Sequence, residues 1–387
     1  MFDTSSFRIR YKAPVEKQAL LYAGPGLVVF FFLLSAISRF LFPFSLPGMS
    51  ASFLSLLFPI FLVALVALGV EVVFGADEGY PWRRSGAAAG AGVISGTFLV
   101  AAWGKILDPE SSQQTIMQEG LAGILPASIV ALAAIGLEVF LGVVLLAGVR
   151  RVWTLVMTGL LVGLFLFLNG RAYMRFVQGV ELEDAACGCF GSLLERTPAE
   201  AFWQDFALLV PPLVLASLAV AWRARVGRQV ALAGGLSAAA VVVAFLAPDL
   251  ALDDLATRLR PGTEVAGVCT GTGDERLCLP TLVPELAEGE HLVVLADLED
   301  EEFGKSVDGL NRYWQGAEGP RLWVLSAVTP EQSQAFFWQH GPSFETREAP
   351  PGLLRPLYRK LPRSFLVADG TVRETYRGLP PSIEGGA

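Results

Sequence analysis

The sequence predicts a polytopic α-helical membrane protein that ends in a C-terminal α/β domain. Hydrophobic residues make up 53% of the 387 residues and charged residues 17%. The mean hydropathy of +0.52 is that of a membrane protein rather than of a soluble globule. Residues 253–387 differ from the rest, because they hold 21 acidic and 13 basic side chains and so the whole net charge of −8. This acidity argues against nucleic acid as a partner.

Seven apolar stretches, each near the roughly 20 residues that cross a bilayer, define the helical part. They are Leu20–Phe44, Phe53–Phe74, Ala87–Ile106, Ile124–Gly148, Val152–Leu168, Phe206–Trp222 and Val230–Leu246. The predicted organisation is a tail (1–19), two N-terminal helices (20–85), a four-helix bundle (86–223), a seventh helix with a linker (224–252) and an exported domain (253–387). The mixed, polar tail and the long apolar run after it argue against a cleavable signal peptide.

Basic residues in the short loops predict the orientation. The loops on the same side as the basic N-terminal tail contain Arg83-Arg84, Arg150-Arg151 and Arg223–Arg228. Because Lys and Arg accumulate in cytoplasmic loops, this side is expected to be cytoplasmic. The chain is then expected in a bacterial inner membrane, with its C-terminal domain in the periplasmic or extracellular space, where disulfides persist.

Cys187 and Cys189 are separated by a single glycine and are two of only four cysteines in the chain. Thiols this close can form a strained disulfide, and strained disulfides are more oxidising and more labile than structural ones. The spacing therefore predicts a catalytic redox pair that cycles between dithiol and disulfide outside the membrane. Two alternatives remain, a glycine-rich turn that happens to carry cysteines and a metal-binding pair. No histidine or second cysteine pair lies nearby in the sequence to complete a metal site.

Four polar residues lie within or at the ends of the middle spans. Lys105 ends the third span, Glu138 lies well inside the fourth, and Asn169 and Arg171 end the fifth. Ionisable groups are costly in lipid and usually face a bundle interior or a polar cavity. We expect Glu138 to point into the bundle, and the four residues to support the redox pair. Lys105 and Arg171 could instead extend their charged groups to the membrane interface.

Several short pieces occur in a fixed order between about Gly96 and Ala221. They are Gly-Lys-Ile-Leu-Asp-Pro at 104–109, Leu125-Pro126, Leu137-Glu138, Asn169-Gly170-Arg171 and Cys-Gly-Cys-Phe-Gly at 187–191. In this order and spacing the segment resembles the MauE/DoxX family of bacterial membrane proteins. The resemblance implies a four-helix bundle with the cysteine motif before its last helix. It also implies a role in periplasmic redox maturation, with a quinone as a candidate electron acceptor and no covalently bound cofactor.

The order of strands and helices after residue 262 resembles a thioredoxin-like fold, with Pro362 at the cis-proline position of that family. The sequence departs from the family where thioredoxins carry Cys-x-x-Cys after the first strand of the fold. Glu299–Glu302 occupies that place and contains no thiol. The domain cannot therefore carry out ordinary thioredoxin chemistry there.

Cys269 and Cys278 lie on the two arms of a predicted hairpin, Thr263–Cys269 and Glu275–Leu279. This placement predicts a structural cross-strand disulfide with Cα atoms within about 7 Å. The alternative is that these cysteines exchange with Cys187 and Cys189. The two histidines of the chain, His291 and His340, are far apart in sequence and do not indicate a metal site.

These observations favour a membrane thiol–disulfide redox protein that supports the maturation of exported proteins. The degenerate thioredoxin-like domain would then dock a client rather than reduce it. The alternative is a non-catalytic subunit or assembly factor of a larger membrane complex. Membrane lipid and either an exported client or a membrane complex are the expected partners.

Overall fold

A computed structural model of the full chain describes residues 51–74, 81–118, 125–178, 196–220, 226–250, 252–270, 276–316 and 319–384. The first predicted span, Leu20–Phe44, and the Cys187-Gly188-Cys189 motif lie outside these residues. Contacts divide the chain into two compact units. The first comprises Met1–Trp103, Leu132–Met174 and Pro198–Val242, and the second comprises Gly104–Ala131, Arg175–Thr197 and Val243–Ala387.

The longer helices of the described residues, each of ten residues or more, are numbered here in chain order. They are α1 Ala51–Phe74, α2 Pro81–Leu107, α3 Pro109–Gln118, α4 Ala127–Leu146, α5 Val152–Val177, α6 Pro198–Ser217, α7 Gly227–Leu246, α8 Glu301–Gln315 and α9 Pro330–His340. Helices α2, α4, α5, α6 and α7 are long and apolar enough to cross a membrane, and α1 contributes a shorter apolar segment, Leu57–Gly69. The chain is therefore a membrane protein whose helices contact lipid.

Several helices extend beyond the apolar runs that predicted them. Helix α2 begins at Pro81 rather than Ala87, and α6 begins at Pro198 rather than Phe206. Helix α5 continues to Val177, so Asn169 and Arg171 lie within this helix and not at its end as predicted. In α5 and α6 the added turns carry polar side chains that are buried, Asn169, Gln204 and Asp205, so the helices continue where the hydrophobic run has ended.

Helix α2 is tightly packed in the first unit, because its glycines allow other helices to approach closely. A Cβ atom on Gly92 would lie 2.5 Å from the Cα atom of Ala64 in α1, and one on Gly96 would lie 2.8 Å from that of Ile60. A Cβ atom on Gly90 would lie 2.3 Å from the carbonyl oxygen of Pro212 in α6. Small residues four positions apart are a usual means of close helix packing in membranes.

Helices α4 and α5 contact the C-terminal half of α2. The Ser95 hydroxyl donates a hydrogen bond of 2.6 Å to the carbonyl oxygen of Gly142 in α4. The Phe98 and Phe165 rings meet edge to face at 6.3 Å, which joins α2 to α5. These contacts complete a bundle in which α2 touches α1, α4, α5 and α6.

Ion pairs join basic residues at one end of the first unit. Glu71, near the end of α1, accepts hydrogen bonds from Arg84 at 3.1 Å and from Arg150 at 2.9 Å. The Gln229 side chain, near the start of α7, donates to the carbonyl oxygen of Ala147 at 3.3 Å. Helix α7 therefore begins at this basic end.

The C-terminal part is an α/β domain with two sheets. Its strands are β1 Cys269–Thr270, β2 Leu277–Cys278, β3 Glu290–Leu295, β4 Arg321–Ser326, β5 Thr346–Glu348, β6 Arg363–Ala368 and β7 Thr371–Arg377. Strands β1 and β2 form an antiparallel pair, and the other five form a mixed sheet in the order β5-β4-β3-β6-β7. In this sheet β3, β4 and β5 run parallel, whereas β6 and β7 are antiparallel to their neighbours.

The central strand β3 is apolar on both faces because each face of the sheet is covered. Val293 and Leu295 pack in one core with Trp323 and other buried residues. Leu292 and Val294 alternate with them and pack in a second core against α8 and α9. The sequence of a strand covered on both faces is a continuous apolar run, and the sequence of β3 has this pattern.

The first predicted hairpin is much shorter than expected, since β1 and β2 have two residues each. The residues before β1 pair elsewhere: Glu264 forms a bridge with Thr371 of β7, and the Val265 amide donates to the carbonyl oxygen of Gly370 at 2.9 Å. Binding to β7 therefore competes with extension of the hairpin.

Candidate functional site

Buried polar side chains lie within the helical bundle of the first unit. Glu138 of α4 is fully buried, and Asp205 of α6 and Asn169 of α5 are nearly so. The Asn169 amide donates a hydrogen bond of 2.7 Å to an Asp205 carboxylate oxygen, and this bond joins α5 to α6. A carboxylate held by an amide inside apolar helices is an unusual and costly feature, and such groups mark functional sites by default.

Asp205 was not among the residues predicted from the sequence, because the predicted span began at Phe206. The buried side of α6 follows a helical spacing that includes it. These buried residues are Pro198, Ala201, Gln204, Asp205, Leu208, Leu209, Pro212 and Ala216. Intervals of three, four and seven residues define one helix face, so this periodicity could have indicated that Asp205 points inward.

Lys105 and Arg171, the other two predicted polar residues, lie in different units. Lys105 is buried in the second unit near the end of α2, whereas Arg171 of α5 is half-buried in the first. The Arg171 guanidinium lies 5.9 Å from the centre of the Phe167 ring, at the distance of a cation–π contact.

Asp108 follows α2 directly and is a second buried carboxylate that sequence reasoning missed as a site residue. One of its oxygens accepts a hydrogen bond of 3.2 Å from the Ser111 amide and so caps α3. The other accepts a hydrogen bond of 3.3 Å from Arg355 in the α/β domain. The order Asp108-Pro109 with a polar helix behind it is a helix-start pattern that could have predicted the cap. Asp108 thus links the end of a membrane helix to the α/β domain.

Two arginines of the α/β domain bind the chain that follows α7. Arg359 donates to the carbonyl oxygen of Ala247 at 2.8 Å, and Arg377 donates to that of Pro248 at 2.8 Å. Arg377 also forms an ion pair of 2.8 Å with Asp253. The carbonyl oxygen of Ala247 also accepts a hydrogen bond of 3.2 Å from the Leu250 amide, so the guanidinium group of Arg359 adds a second donor to it in the turn after α7.

Arg363, at the start of β6, is among the most buried charged residues of the described chain. It donates to the Thr257 hydroxyl at 2.5 Å, to the carbonyl oxygen of Leu357 at 2.8 Å and to Asp254 at 3.1 Å. Burial lowers the pKa of Arg363, and the nearby Arg359 charge lowers it further, against opposing effects of acidic neighbours.

Cys269 and Cys278 are joined by a disulfide in the structure, with their Cα atoms 3.9 Å apart on β1 and β2. Exchange of these cysteines with other thiols would require this bond to open. Within the described part of the chain, no group of three or more His, Cys, Asp and Glu side chains is arranged to hold a metal ion.

Pro362 follows a cis peptide bond after Leu361 and directly precedes β6. The first residue of β6, Arg363, pairs with Leu295 at the end of β3, so Pro362 adjoins the loop between β3 and α8. In that loop Asp300 accepts a hydrogen bond of 3.0 Å from the Glu302 amide and caps α8. Carboxylates occupy this place, where the predicted fold would carry thiols.

Comparison with known proteins adds one finding. Residues 82–223 match the family model of the methylamine utilisation protein MauE. No curated protein and no solved structure matches the chain. The matched segment extends from α2 to α6, includes the Cys187-Gly188-Cys189 motif and ends before α7. It confirms the MauE part of the resemblance found in the sequence.

Proposed function

We propose that this chain is a membrane thiol–disulfide redox protein that supports the maturation of exported proteins. One observation carries the proposal. The segment similar to MauE encloses both the closely spaced Cys187 and Cys189 and a buried amide–carboxylate pair, Asn169 and Asp205. The other two cysteines are already joined to each other. Cys187 and Cys189 are therefore the thiols left for redox exchange.

In the proposed reaction, oxidation of the Cys187–Cys189 dithiol forms an S–S bond and releases two electrons and two protons. A quinone of the membrane accepts the two electrons and the two protons and becomes the quinol. Glu138 and Asp205 are buried carboxylates of the same helical bundle and are the candidate groups for moving these protons. The oxidised pair would then accept electrons from the thiols of an exported client.

The proposed orientation has the N-terminus in the cytoplasm of a bacterial cell. Support comes from Glu71, whose ion pairs with Arg84 and Arg150 hold basic residues at one end of the bundle. By the positive-inside rule that end is cytoplasmic. Protease added to intact spheroplasts should then remove the domain that begins near Pro261, and protection of this domain would contradict both the orientation and the redox mechanism.

For the α/β domain we propose a thioredoxin-like fold that binds a client without reducing it. The β4-β3-β6-β7 order, with β3 and β4 parallel and β6 and β7 antiparallel to their neighbours, supports this assignment. The carboxylates of Glu299–Glu302 exclude thiol chemistry at the start of α8. This same substitution favours the second candidate function, a non-catalytic subunit or assembly factor of a larger membrane complex.

Thiol labelling in membranes distinguishes the two functions. The Cys269→Ser/Cys278→Ser variant retains only Cys187 and Cys189, so every labelled thiol belongs to the proposed pair. We expect quinone to decrease labelling of this variant and reductant to restore it. The matched control is Cys187→Ser/Cys189→Ser, in which the remaining disulfide should stay unlabelled under both conditions. If neither quinone nor reductant changes the labelling, the redox function is excluded and the function as a non-catalytic subunit or assembly factor remains.

The carboxylate proposal has its own test in the same assay. Glu138→Gln replaces the buried acid with a neutral group of the same shape, so the variant should fold and insert normally. If Glu138 carries protons, reoxidation of Cys187 and Cys189 by quinone should slow. An unchanged reoxidation rate would remove Glu138 from the mechanism without affecting the assignment of the cysteines.

A further inference from the structure

A cavity of about 430 Å³ lies in the second unit, where two membrane helices continue into the polar part of the chain. Asp108, the residue after α2, lines it, as does Pro248, two residues after the end of α7. Two strands of the α/β domain also contribute, through Arg363 of β6 and Arg377 of β7. Chain continuity therefore places one wall of the cavity at the level where the spans leave the bilayer.

The charge of the cavity lining is net positive. Its cations are Arg359, Lys360, Arg363 and Arg377. Its carboxylates are Asp108, Asp249 and Asp253. Asp108 is neutralised by its ion pair with Arg355, which does not line the cavity. Arg363 is likewise paired with Asp254, which does not line the cavity. Three cations then stand against two carboxylates, so the lining keeps a net positive charge and favours an anion.

Two of these cations have unused donors. The Nε atoms of Arg359 and Arg363 are buried and donate to no acceptor among the described residues. The two side chains are only 5% and 1% exposed, so bulk water does not replace the missing acceptor. Lys360, in contrast, is exposed at the cavity and makes no hydrogen bond within the described part of the chain. Buried donors without partners are costly, and an anion bound beside them would satisfy them.

We propose that this cavity binds the phosphate group of an anionic phospholipid headgroup. Arginine donors in a planar fork match phosphate oxygens, and a lysine adds a mobile charge. Basic pockets at the ends of membrane helices are suited to lipid headgroups because the acyl chains can remain in the bilayer. A bound phosphate would also reduce the repulsion between the neighbouring Arg359 and Arg363 charges. This site is independent of the cysteine chemistry proposed above.

The test uses the full chain in detergent micelles, titrated with phosphatidylglycerol and, separately, with phosphatidylcholine. Native mass spectrometry gives the affinity of the first bound lipid. We expect tighter binding of phosphatidylglycerol, and Lys360→Gln should weaken it about fivefold, as expected for one cation at a membrane surface. The matched control is Arg373→Gln, which removes an exposed cation of β7 outside the cavity and should leave the affinity unchanged.

Equal affinity for the two lipids would overturn the proposal, as would equal losses in Lys360→Gln and Arg373→Gln. A third arm adds inorganic phosphate alone, and displacement of phosphatidylglycerol at equal concentration would assign the site to free phosphate instead of lipid. Lys360→Gln is the primary variant because Arg359→Gln would also remove the hydrogen bond to Ala247. Since the assay reads no thiol, its failure and a failure of the redox function are distinguishable.

Discussion

The ion pair between Asp108 and Arg355 should stabilise the protein far more than a surface pair, and a double-mutant cycle can measure this. The two charged groups lie 3.3 Å apart with side chains 1% and 11% exposed. The second oxygen of Asp108 caps α3 by accepting from the Ser111 amide. Two substitutions separate these roles, since Asp108→Asn keeps an acceptor for the cap and loses the charge, whereas Asp108→Ala loses both.

The magnitudes follow from burial. Removing one partner of a buried ion pair costs about 3–5 kcal/mol, because the other charge is left without compensation. Arg355 retains a hydrogen bond of 3.1 Å to the carbonyl oxygen of Tyr358, so the lower part of this range applies. We expect about 3 kcal/mol for Asp108→Asn and about 4 kcal/mol for Asp108→Ala, the difference being about 1 kcal/mol for a lost helix cap. The cycle of Asp108→Asn with Arg355→Met should give a coupling energy of about 2 kcal/mol.

Free energies of unfolding of the full chain, measured by denaturant titration in a mild detergent, provide the readout. The matched control is the pair of Arg321 and Glu345, which has the same 3.3 Å separation but side chains 48% and 46% exposed. The double-mutant cycle of this exposed pair should give a coupling energy of about 0–0.5 kcal/mol. Equal coupling energies for the two pairs, or equal stabilities of Asp108→Asn and Asp108→Ala, would refute the argument from burial and capping.

Two further predictions use the same protein. Gly92→Ala should lower the free energy of unfolding by about 1–3 kcal/mol, because the added Cβ atom would press on the backbone of α1. The control is Gly163→Ala, whose added Cβ atom has no atom within 4 Å. It should change the free energy of unfolding by less than about 0.5 kcal/mol. A hydrogen bond to Glu374 raises the pKa of Tyr376 to about 12, so its contribution to stability is present below about pH 10, the ordinary tyrosine pKa, and is lost as the pH rises through 12. Tyr376→Phe should abolish that loss and remove one phenolate from the absorbance change near pH 12. If the variant instead lacks a phenolate that titrates near pH 10 in the wild type, the shift is contradicted.

The positions of the membrane helices were largely predictable, because the length of an apolar run reflects the thickness of the bilayer. Five of the seven predicted spans correspond to helices that are long and apolar enough to cross a membrane. Their ends were not predictable in this way. Asn169 and Asp205 belong to helices that continue past the apolar run, since each polar group is buried against the other. A hydropathy criterion treats such residues as the end of a span.

In the α/β domain, predictions succeeded where the determinants are local. Helix α9 has such determinants, because Thr329 and Gln332 form a capping box at its start and Gly341 ends it in a left-handed conformation. Strand β5 was not predicted, since three residues carry little pattern and their strand conformation depends on pairing with β4. The short hairpin of β1 and β2 was predicted too long for the same reason, because the competing partner, β7, is about a hundred positions away in the sequence.

Whether a polar site residue can be predicted from the sequence also depends on the kind of group that it binds. Glu138 could be identified because an acid inside an apolar run is a visible exception. Arg359 could not, because its acceptors are carbonyl oxygens, such as that of Ala247, 112 positions earlier in the chain. Every residue has a carbonyl group, so the sequence carries no mark of which carbonyl oxygen will accept a hydrogen bond from a distant arginine. A basic residue that binds such groups looks like any surface cation until the two segments are seen together, and this is why the cavity beside α7 could be found only in the structure.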